Sequence, residues 1–195
     1  MQKGVRLKRE LEVLALRPPP GISCSPKEED IIDVLDAKMI GLKGSPYEGG
    51  VFKLEIKIPD KYPFEPPHVQ FKTPVYHPNV DVSGRICLDL LKLPSKGSWR
   101  PTISLAGLLV SVQLLLATPN PDDPLMADIA EEYRYNKPEY ERKAKEWTKK
   151  YAAPENSNES KTLEATSSNE DSDTTKKRKS DASEEDTKDP KHKRT

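Results

Sequence analysis

Apolar residues recur at helical spacing near the start of the chain. In residues 5–16, Leu7, Leu11 and Leu14 share one helix face, while the opposite face is basic. The proline run in residues 17–21 ends the helix, because proline cannot continue a helical hydrogen-bond ladder. The pattern therefore predicts an amphipathic helix at the N-terminus.

Alternating patterns typical of strands follow this helix. Residues 51–58 alternate between apolar side chains and Lys or Glu, and residues 31–40 alternate in part. Residues 68–71 form a short strand-like segment after a proline-rich loop at residues 59–67. We expect these segments to pair as an antiparallel meander.

Helical segments occupy the remainder of the core. Residues 102–117 are apolar nearly all round, so this helix should lie buried. Residues 118–124 are rich in proline and end it, and a further helix is expected to start near Asp122 or Asp123. The last helix should begin at Pro138, a favoured first-turn position. One antiparallel sheet packed on helices is an α+β fold.

Composition separates a core from a tail. Residues 154–195 contain three apolar residues but 9 Lys/Arg and 11 Asp/Glu, so burial cannot offset their chain entropy. We predict one globular domain in residues 1–153 and a disordered, charged tail in residues 154–195. Basic clusters at residues 176–179 and 191–194 favour nuclear import, although a solvated charged tail would have a similar composition.

Charge and cysteine usage narrow the range of partners. The chain has 32 Lys/Arg and 32 Asp/Glu, a balance that does not favour nucleic acid or a membrane as a direct partner. Cys24 and Cys87 show no paired spacing, which suggests a reducing compartment inside the cell. The longest apolar run, residues 103–117, is too short to span a bilayer. Neither the cysteines nor the three histidines have zinc-ligand spacing, so we expect no metal.

The least periodic segment, residues 73–101, contains the most reactive candidate side chain. Long irregular segments inside compact domains are uncommon unless they are functional. Cys87 lies there with His77 and Asn79, whereas Cys24 adjoins a strand and is more simply interpreted as a small buried side chain. A cysteine protease would need His77 as a base near the sulfur, but the sequence YHPN is more typical of a rigid turn with a structural imidazole.

Five ordered motifs resemble one family. YPFEPP, YHPN, GRICLDLL, a tryptophan before Pro101, and PNPDDPL follow one another within residues 5–151, as in the catalytic domain of ubiquitin-conjugating enzymes. The resemblance implies the fold of that domain: an N-terminal helix, a four-stranded antiparallel meander, a central buried helix and C-terminal helices. Within the family, Arg100 and the sequences RLKRELEVLA and LKLPSKGSW are similar to the T-type branch, which serves the Fanconi anaemia DNA-repair pathway.

The resemblance implies a carrier reaction. Cys87 would accept ubiquitin from an activating enzyme as a thioester and, with a RING ligase, pass it to a substrate lysine. ATP would be consumed upstream, and the chain has no glycine-rich phosphate loop, so no cofactor is expected. A strong base near the sulfur would promote hydrolysis, so the site is expected to be chemically sparse. The alternatives are a carrier of a ubiquitin-like modifier and a non-catalytic ubiquitin-binding scaffold; the presence of Cys87 and Asn79 argues against the scaffold.

Other site residues are assigned by the same resemblance. Asn79 would donate to the oxyanion formed during lysine attack, although its amide could equally pin the loop. Asp123 would orient the incoming amine and accept its proton, or cap a helix. Asp89 and Tyr76 match positions that line the acceptor groove. Lys92, close after the cysteine, is expected to undergo self-ubiquitination.

Docking positions are also implied. Arg6 and Arg9 match positions that meet the activating enzyme, although composition alone would make them a solvated helix face. Phe64 lies in a proline-clamped loop where an aromatic ring is hard to bury, which suits an interface anchor. The surface expected to face the RING ligase comprises Phe64, Arg100, Pro101 and Lys61. The T-type likeness further implies attachment of single ubiquitins by a monomeric enzyme.

Overall fold

A computed structural model of the protein describes residues 2–28 and 31–154. Its helices and strands are α1 (Gln2–Leu16), β1 (Ile22–Glu28), β2 (Ile31–Ile40), β3 (Val51–Lys57), β4 (His68–Phe71), a 3-10 turn (Asp89–Leu91), α2 (Leu105–Ala117), α3 (Ala127–Tyr135) and α4 (Lys137–Tyr151). The predicted α+β fold is confirmed. The predictions of a disordered tail and of nuclear-import clusters fall on residues 155–195, outside the described residues.

The four strands form one antiparallel sheet in the order β1-β2-β3-β4, as a meander requires. Alternation in β3 places Phe52, Leu54 and Ile56 in the core, where each is at most 1% exposed. β1 tolerates Pro26 because it is an edge strand and the missing N–H interrupts no central ladder.

Helix α2 lies in the core and is anchored at its N-terminus by α1. The Glu10 carboxylate accepts hydrogen bonds from the Leu105 backbone N–H (2.7 Å) and the Tyr62 hydroxyl (2.9 Å). A negative charge is favoured at this end of a helix, where backbone N–H groups lack helical partners. Glu10 thus joins α1, the proline-rich loop and α2. No helix within residues 2–28 and 31–154 is long and apolar enough to cross a membrane.

The prediction that a helix starts near Asp122 or Asp123 was wrong. Helix α3 begins at Ala127, because the N–H groups of Leu125 and Met126 bond to the Pro78 carbonyl, at 2.9 and 3.0 Å. The segment before α3 is therefore a loop fastened to the cysteine-containing region. The last helix begins at Lys137, one residue before the predicted Pro138, which lies in its first turn.

Candidate active site

A neutral histidine shapes the turn before the cysteine. Nδ1 of His77 accepts from the Asn79 backbone N–H (2.9 Å), so Nε2 carries the proton and donates to the Leu115 carbonyl (3.0 Å). The ring is fully buried, and burial lowers the pKa of His77 to about 4. The imidazole therefore holds the loop against α2, in agreement with the structural reading of YHPN.

Gly84 docks the same segment on the end of β4. Its φ of +83° is favoured by glycine, and a Cβ there would stand 2.0 Å from the Phe71 carbonyl oxygen. The Phe71 N–H donates to the Gly84 carbonyl at 2.9 Å. A larger residue at position 84 would therefore displace the chain that leads into Cys87.

Asn79 connects the cysteine to the loop that carries Asp123. Its buried side-chain amide donates to the carbonyls of Asn120 (2.7 Å) and Asp123 (2.9 Å), and its side-chain oxygen accepts from the Asn120 N–H (2.8 Å). Its backbone carbonyl accepts the Cys87 N–H at 2.9 Å. Both amide hydrogens are thus committed to backbone carbonyls, which is the loop-pinning geometry; donation to an oxyanion would require one of these bonds to open.

The Asp123 carboxylate and the Lys92 ammonium both contact the sulfur of Cys87. The thiol donates to Oδ2 of Asp123 at 3.0 Å, and Nζ of Lys92 donates to the sulfur at 3.2 Å and to the same Asp123 oxygen at 3.0 Å. Cys87 is half-buried. A carboxylate and an ammonium both contact the thiol, so the site is less sparse than expected, but neither group is a strong base.

The contacts fix the protonation pattern of this group. Burial raises the pKa of the Cys87 thiol, as does its bond to Asp123, while Lys92 opposes the rise. Bonds from the thiol and from Lys92 lower the pKa of the Asp123 carboxyl. The pKa of Lys92 is raised by its bond to Asp123 and then by the sulfur. The resting site is accordingly a thiol, a carboxylate and an ammonium.

The remaining candidate groove residues lie at different distances from this cluster. Asp89 is exposed, and its carboxylate lies 3.7 Å from Nζ of Lys92. The Tyr76 hydroxyl donates to Glu132 of α3 (2.6 Å), and its ring lies 5.7 Å from that of Trp147. Asp89 is therefore at the edge of the cluster, whereas Tyr76 is held against the C-terminal helices.

The candidate ligase surface is built from two linked loops. Phe64 is 62% exposed, as expected of an interface anchor. Buried Trp99 donates from Nε1 to the Pro63 carbonyl at 2.9 Å and so fastens the proline-rich loop to the loop after the cysteine. The other exposed members of this surface are Arg100, Pro101 and Lys61.

The two arginines of α1 have different surroundings. Arg6 forms an ion pair with Glu10 and donates to the Ile103 carbonyl at 3.2 Å, whereas Arg9 is exposed. Both line a groove of about 330 Å³ between α1 and the start of α2. Only Arg9 thus has an exposed side chain, while Arg6 is tied to the Glu10 junction.

The sequence identified Cys87, Asp123 and Lys92 and predicted that Lys92 lies near the sulfur, but not that Lys92 and the thiol share one Asp123 oxygen. A short 3-10 turn, Asp89–Leu91, brings Lys92 back to the sulfur, and such a turn has no periodic signature. Within residues 2–28 and 31–154, no group of three or more His, Cys, Asp or Glu side chains is placed to hold a metal ion.

Comparison with known proteins agrees with this geometry. The family model described as ubiquitin-conjugating enzyme matches residues 6–148. The chain is 58% identical over 152 residues to human ubiquitin-conjugating enzyme E2 T, covering 78% of this chain and 77% of the relative. It is 53% identical over 182 residues to the enzyme of that name from Mus musculus, covering 92% and 89%. It is 46% identical over 147 residues to ubiquitin-conjugating enzyme E2 13 of Schizosaccharomyces pombe, covering 75% and 96%. The resemblance read from the five motifs is thereby confirmed, and the chain belongs to the ubiquitin-conjugating enzyme family of transferases.

Proposed function

We propose that this protein carries ubiquitin as a thioester on Cys87 and, with a RING ligase, attaches single ubiquitins to a protein substrate in DNA interstrand crosslink repair. Enzymes of the family interact with ubiquitin, an activating enzyme and ligases, and the likeness to E2 T favours the ligase of the Fanconi anaemia pathway. The observation that supports the carrier reaction is the half-buried Cys87 thiol in contact with Asp123 and Lys92.

Loading exchanges one thioester for another. The Cys87 thiolate attacks the carbonyl carbon of the ubiquitin C-terminus, a new sulfur–carbon bond forms, and the activating enzyme's cysteine leaves as a thiolate. The proton of the Cys87 thiol passes to solvent or to that leaving thiolate. The bond energy comes from the upstream thioester, so the protein itself requires neither ATP nor another cofactor in this scheme.

Transfer uses the carboxylate beside the sulfur. An uncharged substrate amine attacks the thioester carbon, a nitrogen–carbon bond forms, and the sulfur–carbon bond to Cys87 breaks. The amine has to lose a proton, and Oδ2 of Asp123 lies 3.0 Å from the sulfur, within reach of an amine approaching that carbon. The proton accepted by Asp123 then returns to the departing Cys87 thiolate, which restores the thiol.

The test mixes the purified protein with activating enzyme, ubiquitin and ATP and resolves the products on a non-reducing gel. One reducible adduct should form. Cys87→Ser should give a thiol-resistant oxyester or no adduct. Cys24→Ser is the matched control and should load normally, because burial and then Asp36 raise the pKa of Cys24 to about 12. An adduct that persists in Cys87→Ala would contradict the assignment.

The same mixture distinguishes the alternative functions. A carrier of a ubiquitin-like modifier would load only when that modifier and its own activating enzyme replace ubiquitin and the ubiquitin-activating enzyme. A non-catalytic scaffold would bind ubiquitin without forming a reducible adduct. Titration of the RING ligase against variants of Phe64 and Arg100, and of the activating enzyme against variants of Arg6 and Arg9, tests the two proposed docking surfaces.

Self-modification and localisation complete the proposal. Lys92 lies 3.2 Å from the sulfur, so in the loaded protein it should be ubiquitinated in preference to the tail lysines. Peptide mapping after incubation without ligase or substrate would show this, and modification confined to the tail would contradict it. We further propose a nuclear location, which deletion of residues 154–195 should diminish while thioester formation and thermal unfolding stay nearly unchanged.

A further inference from the structure

We propose that Lys92 occupies the acceptor position of its own active centre, so that a substrate lysine must displace it from Asp123 before transfer. The proposal rests on the transfer reaction proposed above. It makes Lys92 a positioning residue that competes with the acceptor, in addition to being a site of self-modification.

Distances place the Lys92 ammonium where an acceptor ammonium would bind. An attacking amine has to lie near the carbon bonded to the Cys87 sulfur, within hydrogen-bonding distance of the carboxylate that orients it. Nζ of Lys92 meets both conditions, at 3.2 Å from the sulfur and 3.0 Å from Oδ2 of Asp123. The side chain is therefore a tethered analogue of the substrate.

The backbone holds Lys92 in this position. Its N–H donates to the Asp89 carbonyl at 3.0 Å, and its carbonyl accepts the Trp99 N–H at 3.1 Å. Both bonds close the short turn after the cysteine. Lys92 is consequently presented to Asp123 by an ordered loop.

Loading strengthens the competition. In the free protein, Oδ2 of Asp123 accepts from both the Cys87 thiol and Lys92. Acylation removes the thiol hydrogen, so of these two donors only Lys92 remains on the oxygen. A substrate ammonium must then exchange with the Lys92 ammonium at one carboxylate, and it loses one proton to solvent before it attacks as the uncharged amine.

Lys92 competes only weakly for Asp123, because a substrate lysine must be able to displace it. The Lys92 and Asp123 side chains are 34% and 59% exposed, and ion pairs of such exposure alter an equilibrium by about two- to five-fold. An amine in free solution must therefore compete with Lys92 for Asp123, which raises its apparent KM measurably. A substrate lysine held by a ligase has a high effective concentration and overcomes it. Lys92 would thus favour transfer to a substrate lysine held by a ligase over transfer to amines in free solution.

The test compares native protein with Lys92→Met, Lys92→Arg and Lys96→Met. Methionine keeps an unbranched side chain but loses the ammonium, whereas arginine retains the ion pair and cannot be ubiquitinated. Lys96 lies exposed in the same loop, so its replacement controls for the loss of one nearby charge. Each protein is loaded with ubiquitin, separated from ATP, and discharged with L-lysine at increasing concentration.

We expect Lys92→Met to lower the apparent KM for L-lysine about two- to five-fold, with kcat within about two-fold of the native value. Lys92→Arg and Lys96→Met should keep the native KM. A native KM in Lys92→Met, a Lys92→Arg value that follows the methionine variant, or a change confined to kcat would overturn the proposal. Failure of the native protein to load or to discharge to lysine would instead overturn the proposed function.

Discussion

Replacement of Asn79 by alanine separates the two roles that its amide could have. The substitution removes three side-chain hydrogen bonds that join the cysteine loop to the segment at Asn120 and Asp123, at 2.7 to 2.9 Å. Each net bond contributes about 1 kcal/mol, and a buried group left unpaired costs about 1–3 kcal/mol. We expect Asn79→Ala to lower the free energy of unfolding by about 2–4 kcal/mol, because the three bonds share partners and are not additive.

The second half of this experiment measures lysine discharge from the loaded variants. If the amide acts by holding the Asp123 loop, lysine discharge in Asn79→Ala should fall no further than in Asp123→Ala. The double variant Asn79→Ala with Asp123→Ala should then resemble the Asp123 single variant, because both changes disable the same group. The assays are urea unfolding for stability and single-turnover discharge of the purified thioester for catalysis.

An independent oxyanion donor would produce a different pattern. Loss of one such donor slows a reaction by about 10²–10³-fold, and this factor would appear in the double variant in addition to the effect of Asp123→Ala. Unchanged stability together with that additional loss would refute the reasoning from the hydrogen bonds of Asn79. The thioester must first be shown to form in every variant, so that discharge is measured from equal starting amounts.

The remaining predictions concern docking and acid stability. Phe64→Ala should load ubiquitin normally but weaken ligase binding by about 2 kcal/mol or more in a titration, and blocked loading with unchanged ligase affinity would contradict this. Arg100→Ser should affect one ligase less but broaden binding across a panel of RING domains, because a charge that repels wrong partners is lost. Burial holds the pKa of His77 at about 4, below the ordinary 6.5, so the unfolded state takes up the proton first as the pH falls. Stability should therefore be complete above about pH 6.5 and decrease by about 3 kcal/mol by pH 4, and urea unfolding that is equally stable at pH 7 and 4.5 would exclude this effect.

Local sequence patterns correctly predicted the helices and strands that bury an apolar face recurring along their own sequence. Strict alternation located β3, and the continuous apolar sequence located α2 in the core. The helix of residues 5–16 was also correct, although α1 begins earlier, at Gln2. Each of these segments buries a face that its own sequence defines, so neighbouring residues suffice to identify it.

The start of α3 could not be predicted in this way, because distant groups decide it. Asp122 and Asp123 have the residue type of a helix cap, yet the Asp123 carbonyl accepts from Asn79. The next N–H groups bond to the carbonyl of Pro78. These long-range bonds, which leave no trace in local sequence, keep the segment in a non-helical loop past the predicted cap. The same dependence on distant groups explains why the shared contact of Lys92 and the Cys87 thiol with one Asp123 oxygen was not predicted.

In the proposed cycle, the Asp123 carboxylate serves both loading and transfer, because acylation changes what surrounds it. In the free protein, burial and the bond to Asp123 favour the protonated form of Cys87, which keeps an unloaded thiol less reactive. Once the sulfur carries ubiquitin, it no longer donates a hydrogen bond, and a substrate ammonium that displaces Lys92 can bind the same Asp123 oxygen. Asn79 joins the loop that carries Asp123 to the cysteine loop through its bond to the Asp123 carbonyl. Stability and lysine transfer are therefore expected to decline together when Asn79 is replaced, while a ligase bound at Phe64 would still be recognised.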